Sequence, residues 1–185
     1  MTASTPSTAG QAATTQTDPE RADLLAGLGA ARHVLSFTVR DLTDEQARQR
    51  TTASELTLGG LIKHVAAIEQ GWADFVLDGP SAMTDYSAMT EDDFAHWADQ
   101  FKLSPSETLA GVLAGYTEVS RRTDDLVASL PDLNLSHPLP NAPWFPAGEK
   151  RSARRVFLHI IAETAQHAGH ADIIRESLDG VKSMG

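Results

Sequence analysis

The chain has 185 residues, a formal net charge of −10 and no cysteine. That length suits one domain with one sizeable core, and the acidity argues against nucleic-acid or anionic-membrane partners, which require a basic footprint. Without cysteine there is no disulfide, no thiol nucleophile and no thiolate ligand. Any metal must be held by His and carboxylate groups, and any thiol chemistry must use a thiol from outside.

Residues 1–17 carry Thr, Ser, Ala, Gln and Gly but no branched aliphatic side chain. A disordered tail is expected there, followed by a single domain over 18–185. The start has no basic region leading into an apolar core, and no apolar run approaches the ~20 residues of a membrane span. A cytoplasmic protein is expected.

Asp18-Pro19-Glu20 reads as a helix start, with an N-cap acid and Pro at the first helical position. Leu24, Leu28, Ala31, Leu35 and Val39 recur at helical spacing, predicting a first helix to about Arg40. Residues 41–55 are polar and read as a loop with a short helical turn. A second long helix begins near Thr57, carries Leu61, Val65, Ile68, Trp72 and Phe75 on one face, and ends at Asp78-Gly79-Pro80. The connection 81–103 is predicted to contain a short amphipathic helix capped by Thr90, with Asp93 in its first turn and Trp97 and Phe101 inward.

A third long helix is predicted from Ser104-Pro105-Ser106-Glu107, which combines a capping box with Pro at the first position. Its core face carries Leu109, Leu113, Tyr116, Val119, Leu126 and Leu130, and Pro131 stops it. Residues 131–151 hold five prolines and read as a long non-helical crossover, a length often linked to function. A fourth helix runs from about Ser152 to Asp179 and closes at Gly180. No segment of strand period and no internal repeat is visible. The fold class is therefore all-α: a four-helix bundle with long crossover connections.

The last helix carries the chemistry. At 100° per residue, Val156, Ile160, Glu163, His167, Ala171, Ile174 and Leu178 fall on one arc, which places Glu163 and His167 in the centre of the apolar face. A carboxylate there requires compensation. A mutual ion pair with His167 is one way to supply it; a metal ion held by both is another. His64, at the edge of the second helix's apolar stripe, is the candidate third ligand, and a set of three leaves open positions, as catalytic sites do. A lone His in such a place is also common as an ordinary core residue. His170 lies about 60° round from His167 and is a candidate fourth ligand, an orienter of His167 or a proton carrier. His33, His96, His137 and His159 are assigned structural roles, and Arg121-Arg122 a solvated face. The tryptophans are assigned to core or lid, with Trp144 set apart because its loop precedes the ligand helix.

Two segments resemble a known family. Leu58-Gly59-Gly60-Leu61-Ile62-Lys63-His64-Val65-Ala66-Ala67-Ile68-Glu69, followed by Trp72, resembles the second-helix motif of DinB-like proteins. Glu163-Thr164-Ala165-Gln166-His167-Ala168-Gly169-His170-Ala171-Asp172-Ile173-Ile174-Arg175-Glu176 resembles the last-helix motif of the mycothiol S-transferase branch of that superfamily. The resemblance covers most of residues 20–180. It implies a divalent metal held by His64, Glu163 and His167, with zinc the first expectation and nickel or iron the alternatives. Glu163 takes a place where many relatives have His, and His170 one often filled by Gln. It also implies a thiol S-transferase joining a small thiol to a small electrophile. The arginine-over-lysine bias, 11 to 4, suits an actinobacterium and hence mycothiol as the thiol. A metal-dependent hydrolase or isomerase on the same site, and a non-enzymatic stress-linked binding protein, are the other readings. A homodimer through exposed helix faces is compatible with the pattern.

Overall fold

The computed structural model describes residues 18–84, 89–90, 99–142 and 144–183. Four long helices dominate: α1 (Pro19–Phe37), α3 (Leu58–Asp78), α4 (Leu109–Ser129) and α5 (Ala153–Asp179). A short α2 (Asp44–Arg48) follows α1. The described residues thus form an all-α protein, with one short two-stranded ribbon, β1 (Ser136–Pro138) and β2 (Lys150–Ser152). None of the described helices is long and apolar enough to cross a membrane. The tail 1–17, and the helix expected after Thr90 with Asp93, His96 and Trp97, lie outside the described residues.

The helix ends follow the local chemistry. The Asp18 carboxylate accepts from Glu20 N at 3.2 Å, with Pro19 in the first turn. Thr57 Oγ1 accepts from Gly60 N, and Ser152 Oγ from Arg155 N. These side chains satisfy donors that a helix start leaves unpaired. At α5 the chain leaves through left-handed Gly180 (φ 80°). Helix α4 departs from expectation: it begins at Leu109 under an N-cap from Thr108, not at Ser104. Glu107 does reach back to Ser104 N (2.8 Å), but that box closes an isolated turn. Asp44 Oδ1 then takes Leu109 N at 2.7 Å, which fixes the later start.

Helix α1 packs on α4 and α5, and α3 packs on α4 and α5. The core they enclose divides in two. One cluster contains Leu35, Leu61, Val65, Tyr116, Ala168 and Ile174. The other contains Leu28, Trp72, Phe75, Val127, Phe157 and Ile160. On each long helix a buried polar residue separates the two: Arg32 on α1, Glu69 on α3, Thr123 on α4 and Thr164 on α5. Glu69 is fully buried, and its two oxygens meet Arg32 Nη2 at 2.5 Å and Arg32 Nε at 3.2 Å. Arg32 Nη1 turns outward to Asp124 at 2.7 Å. The charge that must be neutralised inside this fold is therefore Glu69, and an arginine neutralises it.

The crossover is non-helical, as expected, but ordered. Ser136, His137 and Pro138 pair antiparallel with Ser152, Arg151 and Lys150. Three-residue strands are too short to show a period in sequence. Ala153 N and Arg154 N donate to Leu135 O and Leu133 O, tying the ribbon to the first turn of α5. His137 Nε2 lies 3.2 Å from Val76 O, against the end of α3. The ribbon thus holds the crossover across the α3–α5 seam.

Candidate metal centre

The site is built on that seam. Helices α3 and α5 run antiparallel, so His64 meets His167 and Trp72 meets His159. The His64 and His167 rings stand edge to face with centroids 4.9 Å apart. On the other side of His64, Phe101 stacks at 4.1 Å. Gly60 makes that stack possible: a Cβ there would lie 1.8 Å from Phe101 O, so only glycine admits the 99–103 segment this close to α3.

Along α5, Glu163 lies between two imidazoles. Its Oε2 is 3.7 Å from His167 Nε2 and its Oε1 is 3.7 Å from His159 Nε2. His167 Nδ1 faces His170 Nδ1 at 3.5 Å. The helix phase differs from the expected one. The buried centre of α5 is Ile160, Thr164, Ala168 and Ala171, while Glu163 keeps 30% of its side chain exposed and His167 keeps 12%. Glu163 and His167 therefore sit on the flank of the core face, beside α3, and not in its centre.

Burial, and then repulsion by His167, push the His64 pKa down to about 4. Burial, and then His170, lower that of His167. His159 is lowered as well, chiefly by burial, against the pull of Glu163. At neutral pH the His64 and His167 rings are uncharged and each carries a lone pair. Among the described residues His64 Nδ1 is buried with no hydrogen-bond partner, an arrangement that an additional ligand atom or ion would relieve. Two neutral imidazoles and one carboxylate form a nitrogen–oxygen donor set suited to zinc, nickel or iron. These residues fit a divalent metal in chemistry and in proximity. Among the described residues, however, no three His, Asp or Glu side chains already stand grouped as ligands, so binding requires side-chain adjustment.

The family model described as mycothiol-S-transferase matches residues 23–180. The chain belongs to the mycothiol S-transferase family. The resemblance carried by the second-helix and last-helix motifs is thus borne out, and the span includes every residue of the seam just described. No curated protein matches the chain. Three neighbours of the site leave little readable signal in the sequence. His159 was given a structural role, although its place four residues before Glu163 mirrors that of His167 four after. Phe101 was expected to face inward, but nothing in sequence linked it to His64. Arg151 lies in a strand too short to read, and only the structure brings it to Trp72.

Proposed function

We propose that this chain is a metal-dependent thiol S-transferase on a DinB-like four-helix bundle, joining mycothiol to a small electrophile. His64, Glu163 and His167 are the proposed ligands of a divalent metal, zinc first. The observation that carries the reading is the approach of His64 from α3 to His167 from α5, with Glu163 one turn away. Family membership supports mycothiol as the thiol and S-transfer as the reaction class.

A divalent cation, when bound, supplies positive charge that lowers a thiol pKa toward neutrality. The chain's own residues do the rest. Burial keeps His64 and His167 neutral and available as donors. Glu163 contributes the negative charge, and its partial exposure leaves the seam open to a substrate. His170 Nδ1 lies 3.5 Å from His167 Nδ1, a contact in which either ring can donate; the tautomer with His167 as donor leaves its Nε2 lone pair free as the ligating nitrogen. Phe101 stacks on His64 at one end of the seam, and Trp72 meets His159 at the other. The thiol S–H bond breaks and the sulfur bonds to the electrophilic carbon, whose displaced bonding pair leaves with the departing group; the thiol proton passes by way of His170, the polar group at the outer edge, to that group or to water.

The test is to supply the zinc-loaded protein with mycothiol and a panel of electrophiles, and to read thioether products by mass spectrometry. Thioether formation that requires both metal and thiol is expected. Turnover of an electrophile by water without thiol would replace this reading with a metal-dependent hydrolase. A tightly held metal with no turnover of any kind would favour a binding protein.

A further inference from the structure

Arg151 belongs to no donor set described so far. It is the central residue of β2, opposite His137, and its side chain is only 11% exposed. Its Nε and Nη1 are both buried, and among the described residues neither has a hydrogen-bond acceptor. The nearest paired carboxylate oxygen, Glu149 Oε1, is 3.8 Å from Nε, beyond hydrogen-bond length. The guanidinium carbon lies 4.9 Å from the Trp72 ring centre and 5.1 Å from that of Phe145. Two aromatic faces steady the charge but offer the N–H groups no lone pair. A cation sheltered in this way, with idle donors, is prepared for an acceptor that is not part of the chain.

Its position says which kind. Trp72 lies against both Arg151 and, at 4.9 Å, His159. His159 in turn meets Glu163. Arg151 is thus one layer of side chains from the proposed metal ligands, on the side where the crossover passes. Phe145, beside the guanidinium, also lines a cavity of about 260 Å³ formed by Leu139, Pro140 and Phe145 with their neighbours. The surroundings hold Arg155, which repels Arg151, and Glu149 and Glu163, which attract it. A doubly charged phosphate would face both carboxylates. A single planar carboxylate matches a guanidinium edge between two rings and adds less repulsion.

We infer that Arg151 is the anion-recognition residue of a substrate subsite beside the candidate metal centre, and that the group it takes is a carboxylate on a substrate. The word substrate rests on the transferase reading; the binding of a carboxylate does not.

Trp72 and Trp144 report on the site, so the purified full-length chain can be titrated with benzoate, a monocarboxylate, at pH 7 in low-chloride buffer, followed by tryptophan fluorescence and calorimetry. Benzamide, its uncharged counterpart, and inorganic phosphate serve as comparisons. Saturable binding of benzoate is expected, with benzamide and phosphate at least tenfold weaker. Arg151→Gln should weaken benzoate at least tenfold. Arg151→Lys, which keeps the charge but loses the fork, should weaken it severalfold and stands in if the Gln variant does not fold. Repeating the titrations with chelator separates the two readings, because recognition by Arg151 survives chelation and the transferase activity does not. Absence of benzoate binding, equal binding of benzamide, or an unchanged affinity in either variant would overturn the inference. So would an affinity that chelator removes.

Discussion

Replacing Glu69 with leucine puts the buried charge of this fold to a direct test. Glu69 has no exposed surface and both of its oxygens meet the Arg32 guanidinium. Leucine would fill similar volume but leave Arg32, itself about 10% exposed, inside the protein with one remaining partner. Breaking a buried pair from one side costs about 3–5 kcal/mol. Asp124 still holds Arg32 Nη1, so the lower end, about 3 kcal/mol, is expected. For a chain of this size that corresponds to a fall in Tm of roughly 6–12 °C. Asp124 is 45% exposed, and Asp124→Asn should cost only about 0.5 kcal/mol. The double variant Arg32→Met/Glu69→Leu removes both charges and should recover most of the loss. Urea unfolding followed by circular dichroism at 222 nm measures the wild type, these three variants and the single Arg32→Met variant. A Glu69→Leu loss below about 1 kcal/mol, or a double variant no better than the sum of the two single ones, would refute the assignment of this pair as the buried charge.

In chelated protein, stability should fall as pH drops from 6.5 to about 4. The folded His64 pKa is about 4 against an ordinary 6.5, so in that window the unfolded chain binds the extra proton. The loss should approach about 3 kcal/mol and level off below pH 4; His167 and His159, lowered in the same direction, steepen it. His64→Gln should flatten the profile, and a slope unchanged in that variant would count against a neutral buried His64. His167→Ala should abolish zinc binding, and full metal content by elemental analysis would remove His167 from the ligand set. Gly60→Ala should cost about 2–3 kcal/mol, because its Cβ must displace the backbone at Phe101. The same variant should raise the pKa of His64 as water replaces the Phe101 stack, which NMR titration of the imidazole reads.

The long helices were legible because each joins an apolar repeat to a cap. Asp18, Thr57 and Ser152 begin helices, and the turns at Gly79 and Gly180 end them. The start of α4 was not legible, because Asp44, a residue 65 positions away, decides it. The ribbon was hidden by its length. At the site, i, i+4 spacing and family motifs, both local, point to His64, Glu163 and His167, and the structure brings His64 to His167 and His167 to Glu163. Phe101 and Arg151 arrive by tertiary contact and leave no local pattern.

The helix phase of α5 is the more instructive difference. A wheel weighted by hydrophobicity centred the face on Glu163, yet the residues most deeply buried there include Thr164, Ala168 and Ala171, which are small. Small residues are buried where helices approach closely, and α1 does so: a Cβ on Gly27 would come within 2.9 Å of Ile161 Cδ1. That packing turns α5 toward α1 and moves Glu163 and His167 onto the flank facing α3. The two carboxylates of the seam and core then divide the work by environment. Glu69, sealed in, needs an arginine and is spent on the fold. Glu163, with 30% of its side chain exposed, lies instead against the imidazoles of His159 and His167, and the proposed ligand role rests on that arrangement.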